Sequence, residues 1–294
     1  MYDRILFPTD GSDGASAAFD HVLDIAAAHD STVYVLNVAD TTHDSVVRMR
    51  GQITDVLEEE GERIVAEAAD RAGGRGVDTV TEVVQGEPHR AILDYADARD
   101  VDIVVMPTRG RRGLERLLVG STTERVVRRA DVPVLTIRPD DEVSVEYPYR
   151  NVLVPTDGSD CAAAALSMGT DVATAESAAL SVLSVVDLTS LGYDVRADVR
   201  LSTLEEAAEE IVEDAAASAS AAGVESVTGT VEHGTSIHRA ILSYVEESDI
   251  DLLVVGTHGR TGFNRYLLGS VTEKLLRTSP VPVLTVREPD EGGE

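Results

Sequence analysis

The chain has 294 residues, 53 of them Asp or Glu against 25 Lys or Arg, for a formal charge of −28. So acidic a surface makes nucleic acid and anionic membrane poor partners, and no apolar run approaches the length needed to span a bilayer. Of the basic residues only Lys274 is a lysine, and this bias together with the charge fits a salt-filled cytoplasm, where a Debye length of ~3 Å at molar ionic strength screens the self-repulsion.

In chain order, Ile5 to Phe7 reads as a first strand, and Gly14 to His29 carries Phe19, Val22, Leu23 and Ala26 at helical spacing. Val33 to Val38 is a second strand. A helical pattern follows through Ile53, Val56, Leu57, Ile64, Val65 and Ala68 and stops at Gly73-Gly74. Thr79 to Val84 is a third strand, His89 to Asp97 a short helix, and Val101 to Met106 a continuously apolar fourth strand. The helix Ser121 to Arg129 and the strand Val134 to Ile137 close the first half. The order β-α-β-α-β-α-β-α-β, with near-continuous apolar strands, predicts a parallel sheet covered on both faces by helices, a doubly wound α/β domain.

The second half repeats the first. Ile5-Leu6-Phe7-Pro8-Thr9-Asp10-Gly11-Ser12-Asp13 returns as Val152-Leu153-Val154-Pro155-Thr156-Asp157-Gly158-Ser159-Asp160, and Gly110-Arg111-Arg112-Gly113 returns as Gly259-Arg260-Thr261-Gly262. The period is far above that of a solenoid, so the chain is two tandem copies of one five-stranded domain, expected at residues 1–140 and 148–294. Strands are expected near Val152–Pro155, Ala179–Val186, Val227–Glu232, Asp251–Val255 and Val283–Val286, with a helical stripe of Leu201, Leu204, Ala208, Ile211 and Ala215. The acidic segment Pro139 to Pro148, bracketed by prolines, reads as a linker. The single cysteine, Cys161, offers no internal disulfide and sits where a small buried residue is expected. Asp3 and Arg4 argue against a signal peptide, so the expected location is the cytoplasm.

Ligands of open α/β sheets bind beyond the carboxyl ends of the strands, where the strand order reverses. Two elements fall there. One is the Pro-Thr-Asp-Gly-Ser turn, whose Asp10 or Asp157 can accept from a ribose or serve only as a turn or cap residue. The other is Gly256-Thr257-His258-Gly259, followed after nine residues by Gly269-Ser270-Val271-Thr272 at a helix start, a place where free amides favour phosphate. Neither a Walker loop nor the Gly-x-Gly-x-x-Gly fingerprint occurs. His258 corresponds to Arg109 in the first copy, which argues against a catalytic base there. His89 and His238 read as structural or surface groups rather than metal ligands, because no second ligand lies at metal-like spacing.

The Gly-x-x-Gly, nine-residue, Gly-Ser spacing resembles the nucleotide-binding signature of the universal stress protein family, and Pro-Thr-Asp-Gly-Ser, Leu183-Ser184-Val185-Val186-Asp187 and Val281-Pro282-Val283-Leu284-Thr285-Val286 extend the resemblance nearly end to end. It implies an adenine nucleotide α-hydrolase-like, Rossmann-like fold and a cytoplasmic ATP-binding stress-response or regulatory module. ATP, or AMP or ADP, would be held in the second copy by Pro155, Thr156, Asp157, Val185, Gly256, His258, Gly259, Arg260, Gly269, Ser270, Val271 and Thr272. Mg²⁺ or Mn²⁺ would arrive on the phosphates rather than in a carboxylate cage. In the first copy Asp10, Val38, Arg109, Gly110, Arg111, Gly120, Ser121 and Thr122 match more weakly. Pro107 stands there in place of Gly256 and removes an amide. Arg109 and Arg111 beside that loop suit an anion, whereas Arg125, Arg128 and Arg129 on the following helix are expected to pair with carboxylates of the other half.

Two other functions fit the same residues. A slow ATPase or nucleotide transferase would need an oriented nucleophile and charge stabilisation, and neither a lysine nor a base is recognisable at the site. An interaction protein with empty sites is the other. No catalytic residue is assigned, and the protein partner is unknown. Each copy ends in an apolar strand, Val132 to Ile137 and Val281 to Val286, and in single-domain relatives such strands pair across a two-fold axis. The resemblance therefore implies an intrachain pseudo-dimer, with a homo-oligomer of whole chains as a further option.

Overall fold

Each copy opens with the same short-range grammar: an apolar strand, a turn that needs a left-handed glycine, and a serine that caps a helix. The structure is a computed structural model and describes residues 1–41, 52–109, 119–139, 146–191, 197–259 and 268–288. It divides into two units, Met1–Tyr147 and Pro148–Glu294.

The first unit runs β1 (Arg4–Pro8), α1 (Asp13–His29), β2 (Thr32–Asp40), α2 (Gln52–Gly73), β3 (Thr79–Gly86), α3 (Pro88–Ala98), β4 (Ile103–Pro107), α4 (Ser121–Arg129) and β5 (Val134–Ile137). Its strands are all parallel, in the order β3-β2-β1-β4-β5. The second unit runs β6 (Asn151–Pro155), α5 (Asp160–Glu176), β7 (Ala179–Asp187), α6 (Ala197–Ala221), β8 (Val227–Gly234), α7 (Ile237–Glu247), β9 (Leu252–Gly256), α8 (Ser270–Thr278) and β10 (Val283–Val286), with one turn of 3₁₀ helix at Leu188–Leu191. Its order is β8-β7-β6-β9-β10, again all parallel. The chain therefore moves outward from β6 through β7 to β8, then returns to the other side of β6 with β9. That reversal places the switch point between β6 and β9, and between β1 and β4 in the first unit.

The middle strands are buried on both faces, Ile5, Leu6 and Phe7 in β1 and Leu252 to Val255 in β9 among them, as helices on both sides of a parallel sheet require. Phe7 stacks against Phe19 of α1 with ring centroids 4.9 Å apart. α1 ends at Asp30 and α5 at Ser177, both in the left-handed conformation with φ of 55° and 57°.

The second helix of each copy follows its sequence-based stripe in part: Ile64, Val65 and Ala68 of α2 and Ala208 and Ala215 of α6 are buried. Val56 is 59% exposed and Leu204 is 40% exposed, although both fall on the apolar periodicity. The core face of α6 keeps Ala208 and Ala215 of that stripe and adds Val212 and Ala219. Gly229 of β8 makes room for it, since a Cβ there would stand 2.5 Å from Val212 Cγ1. Strand β4 begins at Ile103 rather than Val101, because the Val101 amide donates to Ala96 O at 3.1 Å and closes α3 after the left-handed Asp100.

Candidate functional site

The Pro155-Thr156-Asp157-Gly158-Ser159 turn is built by its own side chains. Thr156 N donates to Leu183 O at 2.8 Å and ties the end of β6 to β7. Gly158 sits at φ 74° and donates its amide to Thr156 Oγ1 at 3.2 Å. Ser159 N donates to Asp157 Oδ1 at 3.0 Å, and Ser159 Oγ accepts from Ala162 N at 3.3 Å as the cap of α5. The first copy repeats this atom for atom: Gly11 N to Thr9 Oγ1 at 3.2 Å, Ser12 N to Asp10 Oδ1 at 3.0 Å and Ala15 N to Ser12 Oγ at 3.3 Å. One oxygen of each aspartate thus holds the turn, the role that the residue type alone suggests.

The other oxygen of Asp157 packs against Gly259. It lies 2.5 Å from where a Cβ on Gly259 would stand, so the loops after β6 and β9 meet at the switch point only because position 259 has no side chain. Below it, Gly269 N donates to Thr257 O at 2.8 Å, and Thr272 Oγ1 donates to Gly256 O at 2.8 Å. These bonds aim the start of α8 at the crevice. Its N-cap is Gly269 and no side chain caps it; Ser270 is exposed and Val271 half-buried, while the Thr272 side chain is buried in the bond just named. The first amides of a helix have no partner within the helix, so this end carries donors and a partial positive charge.

Val185 contributes backbone. β6 pairs with β7 only as far as Pro155 opposite Leu183, and β7 runs on to Asp187. The Leu183 carbonyl points toward β6, where it receives Thr156 N, and in a parallel strand the backbone groups two residues on point the same way. Val185 therefore directs its N–H and C=O past the end of β6, on the side of the turn. Val38 stands likewise beyond Leu36, which receives Thr9 N at 2.8 Å.

Gly256 is a glycine for a reason absent from the spacing argument. A Cβ there would meet Cys161 Sγ at 2.8 Å and Cys161 O at 2.9 Å, so the first turn of α5 presses directly on the end of β9. Cys161 is buried, with its sulfur 3.5 Å from Val286 O and 3.7 Å from Thr257 Oγ1. In the first copy Gly14 occupies the place of Cys161, and a Cβ there would stand 2.9 Å from Pro139 Cγ and 3.1 Å from Arg109 O. The carbonyl side of the motif survives there: Thr123 Oγ1 donates to Pro107 O at 3.0 Å and Gly120 N to Thr108 O at 2.7 Å. Gly120 is also the uncapped N-cap of α4, ahead of Ser121 and Thr122.

His258 and Arg109 occupy matching half-buried positions, His258 with its Nδ1 3.2 Å from Thr257 Oγ1. Pro155 and Thr156 are half-buried at the tip of β6. Arg260 in the second copy and Gly110 and Arg111 in the first lie outside the described residues. The arginines of α4 pair as expected with carboxylates, but with those of their own unit: Arg125 with Glu87 at 3.0 Å and Arg128 with Glu124. Arg129 donates to His89 Nε2 at 3.1 Å. His89 is buried and its proton affinity is lowered by burial, against the opposing pull of Glu87, which makes it structural. Among the described residues no group of three or more His, Cys, Asp or Glu side chains could hold a metal ion, and no helix is long and apolar enough to cross a membrane.

Comparison with known proteins agrees with this architecture. The family model described as the universal stress protein family matches residues 1–138 and again 148–287. A universal stress protein of Methanocaldococcus jannaschii is 36% identical over 141 residues, 47% of this chain and 83% of that protein. One from Mycobacterium tuberculosis strain H37Rv is 30% identical over 246 residues, 79% of this chain and 78% of its own length. Among solved structures, a universal stress protein from Archaeoglobus fulgidus superposes with a TM-score of 0.75 and 25% identity over 97% of this chain and 98% of that one. With two matches that together span nearly all of its sequence, the chain belongs to the universal stress protein family.

Proposed function

We propose that the second copy binds an adenine nucleotide in the crevice between β6 and β9, and that the protein is a nucleotide-dependent regulatory or stress-response module rather than a committed enzyme. The observation that carries this is the contact of the Asp157 carboxylate with Gly259 beside the uncapped start of α8. A carboxylate that accepts ribose hydroxyls and a helix end that donates to phosphates are the two chemistries a nucleotide presents, and here they flank one opening. The backbone of Val185 adds an adjacent donor and acceptor, the complement of an adenine edge. His258, Gly259, Gly269, Ser270, Val271 and Thr272 would surround the phosphates, and Arg260 belongs to the same proposal from its place in the sequence. A divalent cation would come with the phosphates, which neutralise it without protein carboxylates.

The first copy is the weaker site in this reading. It keeps the Asp10 turn, the Val38 backbone and the uncapped α4, but Pro107 offers no N–H. The location we propose is the cytoplasm of a salt-accumulating cell, on the grounds of charge and lysine scarcity. Equilibrium binding of ATP to the whole chain at molar KCl tests the assignment, and a turnover assay on the same sample separates a binding module from a slow ATPase. Saturable binding lost in Gly259→Val, with nucleotide recovered unhydrolysed, supports the reading; binding indifferent to that substitution contradicts it.

A further inference from the structure

The repeat shows a further difference between the two crevices, at the turn rather than at the start of α4 or α8. In the first unit Asn37 of β2 is buried, and its Nδ2 donates to Thr9 O at 2.8 Å. The Thr9 carbonyl is therefore turned toward β2, where Val38 is the next residue. The carboxamide oxygen lies against α2: a Cβ on Gly61 would stand 2.6 Å from Asn37 Oδ1 and 2.8 Å from Val83 Cγ1. Position 61 must be glycine for position 37 to hold a carboxamide in this pose.

The second unit changes both members of this pair. Ser184 and Ala208 align with Asn37 and Gly61, and both are buried. The turns of the two units share the same internal bonds, so the Thr156 carbonyl is turned toward β7 as that of Thr9 is toward β2. Among the described residues no group donates to it. The ladder between β6 and β7 stops at Pro155 opposite Leu183, so the Val185 amide does not reach it either. Beyond the end of β6 the second unit thus presents the Thr156 carbonyl on the same side as the N–H and C=O of Val185. In the first unit Asn37 has already taken the equivalent carbonyl.

We propose that positions 37 and 184 set the base selectivity of the two crevices, with Ser184 leaving the Thr156 carbonyl to accept from the exocyclic amino group of adenine and Asn37 withdrawing that acceptor from the first copy. The inference rests on the nucleotide reading given above and names the groups that choose the base. An amino group carries two protons, so it can give one to the Val185 carbonyl and one to Thr156 O. A purine with a carbonyl at that position has no proton to give, and its oxygen would face two acceptors, an arrangement that rejects it because the buried acceptors are left unpaired. The first copy keeps only the Val38 backbone for this purpose and discriminates less.

The test exchanges the pair between the copies. The full chain is titrated calorimetrically at molar KCl with ATP and with ITP, which carries a carbonyl in place of the amino group. The tighter, second-copy site should prefer ATP. Ser184→Asn/Ala208→Gly, which transplants the first-copy pair, should weaken ATP binding about three- to tenfold and leave ITP binding unchanged. Ala208→Gly alone should keep the preference, since it loosens α6 without touching the Thr156 carbonyl. In the opposite direction Asn37→Ser, made in the Gly259→Val chain so that the first copy is read by itself, should tighten ATP binding by a similar factor and leave ITP unchanged. This second exchange only shortens a side chain, so it reads the proposal even where the transplanted pair fails to fold. A ratio of ATP to ITP affinity that neither exchange moves, or that Ala208→Gly alone removes, overturns the proposal while ATP binding itself stands. Absence of ATP binding by the parent overturns the nucleotide reading and this inference with it.

Discussion

At the scale of single residues, the candidate site depends on where a Cβ is missing. Gly259 is small so that the Asp157 carboxylate can lie against it, and Gly256 is small so that Cys161 can. The two glycines look alike in the sequence and serve different ends, one packed on a carboxylate and one on a helix. Gly256→Ala should therefore destabilise the second unit by about 1–3 kcal/mol, as overpacking does, and be only partly relieved by Cys161→Gly, because the backbone carbonyl of residue 161 also stands in the way. Denaturant unfolding of the single and double variants measures this; equal stability of Gly256→Ala and the parent would show that α5 yields freely.

His21 offers a second residue-scale prediction. Burial lowers its pKa from 6.5 to about 4, opposed by Asp24, so the folded chain keeps a neutral ring where the unfolded chain binds a proton. Stability is full above the unfolded value and declines as pH falls from about 6.5 toward 4, with a slope of up to about 1.4 kcal/mol per pH unit. The lowered affinities of His89 and His238, also caused first by burial, add in the same direction. Chemical unfolding between pH 7 and about 4 should show a shallower loss in His21→Leu than in the parent; parallel curves would mean that the ring does not titrate on unfolding.

At the scale of elements, strand positions are plain from the sequence, since buried parallel strands such as β9, Leu252–Gly256, are short apolar runs set between helical periods. What the sequence hides is the partner of each helix face. Val56 and Leu204 fit the apolar period yet are exposed, while Val212 finds its pocket only because Gly229 lies across from it on β8. Periodicity states which residues share a face, not how far along the helix that face is covered. Likewise the turn aspartates are legible from Asp-Gly-Ser, but the role of Gly256 depends on Cys161, far earlier in the chain, and nothing local shows it. Arg125 pairs with Glu87 of its own unit rather than with the other half, because sequence gives charge without address. The same logic makes the two copies unequal: with Pro107 in place of a glycine, the first copy should fill after the second in a crystal exposed to rising ATP. Equal occupancy at every concentration would show that Arg109 and its neighbours offset the missing amide.

At the scale of the whole molecule, a charge of −28 makes repulsion between surface carboxylates depend on salt. Raising ionic strength from 0.1 M to 1 M shortens the Debye length from about 10 Å to about 3 Å, which removes most of the repulsion between surface carboxylates. The melting temperature should rise steadily with KCl over that range, and a flat or falling profile would remove the argument for adaptation to salt. The proposed function rests on a smaller region. Calorimetric titration of the full chain with ATP at molar KCl, in parallel for the parent and Gly259→Val, addresses it most directly. The account predicts saturable binding by the parent and none by the variant, with both unfolding cooperatively; equal binding by the two would contradict the placement of the nucleotide between β6 and β9.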